Sequence, residues 1–231
     1  MNMRYFVTVV LFIASMTGAK AKNNISVDYT EESELVSVIA HLAKVPGYIW
    51  PEEQAGVIDY FHQVDSTFAP YSNHPIMAFV ADSLVKQGFG YHVPVAMALR
   101  LKLKTGKLHY NTDLEPDFNH YYRGITPQHE KKLIALLEGF YKKAHFHSFF
   151  KKNQPLYNAC KQAMQQQLVN KIDLAWYKSF FGSIDNVSFH IYLGLLNGPG
   201  NYAIPQKNQR WLRNQERIYG LRRPQCYWRY L

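Results

Sequence analysis

The chain has 231 residues, 47% hydrophobic and 15% aromatic, enough apolar mass for one sizeable core and too much for a disordered or collagen-like chain. Its two cysteines exclude a disulfide-dense scaffold and a multi-cysteine zinc ribbon. The formal net charge of +9 belongs to the ends, because residues 22–205 hold 17 Lys/Arg against 16 Asp/Glu, and a near-neutral body excludes nucleic acid as an expected partner.

Met1-Asn2-Met3-Arg4 is a short basic start, Tyr5 to Thr17 an apolar run, and Ala19-Lys20-Ala21 a small-residue cleavage site. That is the pattern of a secretory signal peptide over residues 1–21, and the run is shorter than the roughly 20 residues that span a bilayer. No later stretch is long and apolar enough to span a membrane. The expected location is therefore secreted or periplasmic, after cleavage near Ala21.

Residues 22–204 read as one helical domain that ends in a strand and a Gly-rich loop. Thr30 is placed to cap a helix whose first turn carries Glu31, Glu32 and Glu34. Its apolar stripe is Leu35, Val36, Val38, Ile39 and Leu42, and Pro46-Gly47 is expected to stop it. Pro51 opens a second helix with Val57, Ile58, Phe61, Val64 and Phe68, closed by Pro70. Pro75 opens a third, carrying Ile76, Phe79, Val80 and Leu84 to Gly88. Val93 to Leu103 fits a helix or a strand equally. Thr105 to Gly124 reads as a long polar loop. Thr126-Pro127 restarts a helix with Leu133, Leu136, Leu137, Phe140 and Tyr141 on its buried face. Phe146, Phe149 and Phe150 continue that surface. Another helix runs from about Gln154 to Val169, and Asp173 caps a short one through Trp176, Phe180 and Phe181. Val187 to Leu193 is rich in β-branched and aromatic residues and reads as a strand, so a sheet starts near the end of a helical body. Asn197-Gly198-Pro199-Gly200-Asn201 is a turn or irregular loop.

Four segments carry a family likeness: Glu34 to Ile39 with Leu42-Ala43, Phe68 to Pro75, Ile172 to Gly182, and Leu195 to Tyr202. Through them the chain from Glu34 to Ile204 resembles domain of unknown function 4932, a secreted family of Bacteroides-type bacteria. The resemblance implies a mainly α fold with a small C-terminal β element, the N-terminal part of a zincin-like α+β protein. It further implies a zinc-peptidase-like protein, whose relatives continue to a helix bearing a His-Glu-x-x-His motif. Two histidines one helical turn apart can ligate zinc, and the glutamate between them can activate the metal's water. By the same analogy, the strand and loop at Phe189 to Tyr202 would lie beside a peptide substrate. Asn197, Gly198, Gly200, Asn201 and Tyr202 are the expected substrate-binding residues.

This chain has no His-Glu-x-x-His. In the nearest miss, His129-Glu130-Lys131-Lys132-Leu133, a leucine holds the second ligand position. No catalytic residue, metal ligand or cofactor is therefore expected, zinc being a property of the full-length relatives. The leading expectation is an exported protein that is inactive as written. The alternatives are a secreted peptide- or glycan-binding module, and a basic tail that grips anionic surfaces.

That tail, residues 205–231, is unusual: Gln206 to Leu231 holds six arginines, one lysine and one glutamate, with no valine, alanine or threonine. A shifted reading frame explains such a composition better than a phosphate-gripping tail does, and the gene's nucleotide sequence decides between them. His145-Phe146-His147 could share a metal on a strand, but the rings would diverge on the helix-to-loop segment expected here. Asp113, Glu115 and Asp117 alternate in a loop without the glycine and distal glutamate of a calcium loop. Cys160 and Cys226 could pair in an oxidising compartment, although nothing in the sequence requires it. The residues carry no sign of oligomeric state.

Overall fold

A computed structural model describes residues 25–49, 58–110, 124–181 and 189–197. The expected signal peptide, Pro51, Val57, residues 111–123 and the basic tail lie outside the described residues. The fold is mainly helical, with two short two-stranded sheets among the described residues. No helix there is long and apolar enough to cross a membrane.

The first described element is a strand, β1 (Ile25–Asp28), that the sequence reading missed. Helix α1 (Glu31–Leu42) follows. Thr30 is extended and its hydroxyl oxygen accepts from the Ser33 N–H at 3.1 Å, as its place in the sequence requires. Every residue from Ser33 to Ala40 is buried. An amphipathic stripe would bury one face only, so α1 is a core helix with neighbours all round. Its end differs from expectation. Lys44, not Pro46-Gly47, turns the chain, in the left-handed region at φ +55°. The Val45 N–H reaches the Ala40 carbonyl and the Lys44 N–H reaches that of His41, each at 2.9 Å. These are the two bonds of a Schellman stop.

Helix α2 (Ile58–Phe68) buries Tyr60, Val64 and Phe68, while Ile58 is exposed. The sequence stripe was thus partly displaced: the buried row runs through a tyrosine whose hydroxyl has its own partners in the core. A 3-10 turn over Ala69–Tyr71 takes Pro70. Helix α3 (Pro75–Ala78) continues as a π turn over Phe79–Leu84 and a 3-10 turn to Gln87, ending at Gly88 with φ +88°. Ile76, Phe79, Val80 and Leu84 are all buried, as expected.

The ambiguous stretch is both things in turn. Helix α4 spans His92–Leu99, and strand β2 spans Leu101–Lys104. A further strand, β3 (Lys107–Tyr110), replaces the start of the expected long loop. β2 and β3 pair antiparallel through a two-residue turn, with Lys104 opposite Lys107 and Lys102 opposite His109. Thr105 (φ +50°) and Gly106 (φ +74°) supply the two positive φ values that such a turn demands. Alternating Leu-Lys-Leu-Lys before Thr-Gly was the available signal, but threonine is an unusual first residue for this turn.

Helix α5 (Pro127–Lys143) starts with a reciprocal cap: the Thr126 hydroxyl oxygen accepts from the His129 N–H, and His129 Nδ1 accepts from the Thr126 N–H. Leu133, Leu137 and Phe140 face the core. Helix α6 (Phe146–Lys152) buries Phe146, Phe149 and Phe150. Phe68 meets Phe140, Phe146 and Phe149, with ring centroids 5.5, 5.8 and 4.9 Å away. This aromatic cluster joins α2, α5 and α6. Helix α7 (Gln154–Gln167) and helix α8 (Leu174–Phe181) follow, the latter capped by Asp173, which accepts from the N–H groups of Ala175 and Trp176.

The expected late strand, β4 (Phe189–Tyr192), does not open a sheet alone. It pairs in parallel with β1, Ile25 opposite Phe189 and Asp28 opposite Tyr192. The Leu193 N–H extends the contact to the Asp28 carbonyl at 2.8 Å. A parallel pair needs a long crossover, and here the helical body is the crossover.

Candidate functional site

α1 carries a buried carboxylate at its first turn. Glu34 is 3% exposed. The Tyr60 hydroxyl donates to its Oε1 at 2.6 Å, and the Tyr157 hydroxyl lies 2.7 Å from that of Tyr60. Since the Tyr60 hydrogen is committed to Glu34, Tyr157 is the donor of the second bond. The Leu195 backbone lies near enough to Glu34 to favour its ionised form. Burial outweighs these contacts and pushes the Glu34 carboxyl up to about 7. Burial, then the nearby Glu34 charge, pushes both tyrosine hydroxyls above their ordinary range. The same two causes, in the same order, raise the thiol of Cys160, which is therefore a poor nucleophile. Cys226 lies outside the described residues.

One helical turn further along α1, Ser37 meets Asn197. The Ser37 hydroxyl is 2.8 Å from the Ser33 carbonyl and 2.6 Å from the Asn197 amide group. The atom facing Ser37 is Asn197 Oδ1, so the single hydroxyl hydrogen is shared between two acceptors, the Ser33 carbonyl and the Asn197 side chain. Leu196, beside Asn197, is fully buried. Glu34 and Ser37, three apart on α1, thus both meet the turn that leaves β4. Of the expected substrate-binding residues, Asn197 turns its side chain inward onto α1. Gly198, Gly200, Asn201 and Tyr202 lie outside the described residues.

Gly194 has a specific reason to be glycine, since a Cβ there would overlap the Asn197 side-chain amide. Gly194→Ala is expected to displace Asn197 from Ser37 and to cost about 1–3 kcal/mol. Hydrogen exchange checks this: the amides of 194–197 should lose protection while those of α5 keep theirs.

The near-miss motif and several other histidines have structural roles. In the near-miss motif, His129 caps α5 and Leu133 is 2% exposed in the core. Glu130 accepts from Arg100 at 2.9 Å and from the Tyr110 hydroxyl at 3.0 Å. His41 is held between the Tyr48 carbonyl and Asp65. His74 caps α3 through the Ile76 N–H, and burial, then Lys143, lowers its pKa. Burial lowers that of His92. His190 meets the Ser26 hydroxyl at 2.8 Å across the β1·β4 pair.

His145 and His147 do not act together. His145 is the left-handed residue ahead of α6, while His147 Nδ1 lies 2.9 Å from Glu31. The Tyr141 hydroxyl donates to the same carboxylate at 3.0 Å. These three residues, with Leu103, Thr105 and Gly106, line an open depression of about 480 Å³. Among the described residues, no three His, Cys, Asp or Glu side chains gather as a group that could hold a metal. Asp113, Glu115 and Asp117 lie outside them.

Glu34, Ser37, Tyr60 and Tyr157 escaped the sequence reading. Glu34 looks like an ordinary dipole-favouring acid until every residue from Ser33 to Ala40 is found to be buried. Comparison with protein-family models, with curated proteins and with solved structures finds no match to this chain.

Proposed function

We propose that the chain is an exported helical module, akin to the N-terminal part of the domain of unknown function 4932 proteins, that binds a peptide or glycan rather than cutting it. The binding residues in this reading are the loop from Asn197 through Gly198, Gly200 and Asn201 to Tyr202. One observation carries it: the base of that loop is held on the core by Asn197 on Ser37 and by the fully buried Leu196. A loop with a fixed base loses less conformational freedom when it takes a ligand.

Two facts weigh against hydrolysis by this chain. The sequence has no His-Glu-x-x-His, and the residues nearest to it serve a helix cap, an ion pair and the core. A zinc site needs several converging ligands, and the paired histidines of the resembled family supply that convergence. The test joins two assays on the full chain: peptide and glycan arrays, and a sensitive peptidase assay with added zinc or with chelator. Retention of a ligand without chelator-sensitive turnover supports the reading. Chelator-sensitive turnover overturns it.

A further inference from the structure

The hairpin of β2 and β3 has two unlike faces. Leu101 and Leu108 are buried, and Leu103 packs against the core. Side chains alternate along a strand, and residues directly opposite in an antiparallel pair share a side. The register therefore puts Lys102, Lys104, Lys107 and His109 together on the other face, and all four are exposed. Lys104 stands directly across from Lys107, an arrangement that repels.

Lysines often guard the open edges of exposed strands. Here both edges are already covered. The outward N–H of Leu103 donates to Glu32 on α1, and the outward N–H of Leu108 donates to Glu138 on α5 at 2.8 Å. Glu130 is committed to Arg100 and Tyr110, and Glu31, which lines a depression with Leu103, Thr105 and Gly106, to Tyr141 and His147. Among the described residues, the neighbouring acids are thus spent on partners other than the lysines. None of the ion pairs among the described residues takes in Lys102, Lys104 or Lys107.

We infer that this lysine face is a docking surface for an anionic phospholipid membrane. The register sets the Cβ atoms of these side chains about 5 Å apart across the strands and about 7 Å apart along them, so several ammonium groups reach out from one side of the ribbon. Lysines are compact point charges, suited to mobile headgroup phosphates rather than to one fixed bidentate partner. Its one ring is the His109 imidazole, because Tyr110 lies on the opposite side with Arg100 4.8 Å above its ring, so the face offers no run of rings on which successive bases would stack. The leucines are turned inward, so contact is electrostatic, peripheral and sensitive to salt. This surface is independent of the loop at 197–202 and of the basic tail.

The test is sedimentation of the full chain with phosphatidylcholine vesicles, with and without phosphatidylglycerol, at low and high salt. Binding is expected to the anionic vesicles only, with loss at high salt. The triple variant Lys102→Gln, Lys104→Gln, Lys107→Gln is expected to bind about 100-fold more weakly, at roughly fivefold per lysine. Its melting temperature should hold or rise, since a repulsive pair is removed. A second variant, with the six arginines of residues 206–231 changed to glutamine, should keep the lysine-dependent part of the binding. Equal binding by the triple variant and the unaltered chain overturns the inference. So does lysine-dependent capture of soluble heparin by a chain that ignores the vesicles, which would make the partner a polysaccharide.

Discussion

Raising the pH from 4.5 to 8 is expected to strip about 3 kcal/mol from the folding stability through Glu34 alone, and Glu34→Gln is expected to remove that loss. The cause is the raised carboxyl, moved from 4.5 to about 7 by burial. Below pH 4.5 the folded and unfolded chains both hold the proton, and Glu34 exerts no pH-dependent effect. Between pH 4.5 and 7 the unfolded chain releases its proton while the folded chain retains it, so stability falls as the pH rises. Above 7 both forms are ionised and the full penalty persists. Glutamine imitates the neutral acid and still offers Tyr60 a carbonyl oxygen. Urea unfolding of both proteins from pH 4 to 8 isolates the effect, because every other titrating group is common to them. The variant should match the unaltered chain at low pH and exceed it at pH 8. Parallel profiles would show that Glu34 ionises as freely in the fold as out of it.

Phe68→Ala is expected to cost about 3–5 kcal/mol, a large share of the 5–15 kcal/mol that holds most domains together. Phe68 is fully buried and touches one ring on α5 and two on α6. Removing its ring leaves a cavity between three helices whose packed side chains cannot all move in to fill it. It also removes the favourable aromatic contacts beyond the lost burial. Phe68→Leu keeps much of the volume and should cost clearly less. Equilibrium urea unfolding with an unchanged slope measures both. A loss under about 1 kcal/mol for the alanine variant would mean that the cluster does not tie the helices together.

What the sequence made legible was local. Thr30, Thr126 and Asp173 each cap a helix by bonds within three residues, so composition and spacing sufficed. The apolar rows of α3 and α5 repeat at helical steps and were read correctly for the same reason. Lys44 was not legible as a helix stop, because the Schellman bonds rather than the residue type impose its left-handed backbone. β1 is four residues long, and its partner β4 begins 164 residues later, so no local pattern announces the pairing. Tyr60 hid in the core because a tyrosine there needs a polar partner, and Glu34 is 26 residues away in sequence. His147 has no carboxylate beside it in sequence, and Glu31 reaches it from 116 residues away. The charge count hid the lysine face in a similar way. A near-neutral body is a sum, and only the strand register places Lys102, Lys104 and Lys107 on one side. Asn197 lay within reach of the sequence reading, but its inward turn onto Ser37 did not.

The binding reading meets its most direct test in one side-by-side measurement on the full chain and on Gly194→Ala. Both are exposed to peptide and glycan arrays, and both are assayed for peptide hydrolysis with zinc and with chelator. The expected result is a ligand held by the unaltered chain, weakened by Gly194→Ala, with no chelator-sensitive cleavage by either. Chelator-sensitive cleavage, or a ligand held equally well when the clamp at Asn197 is displaced, would contradict it.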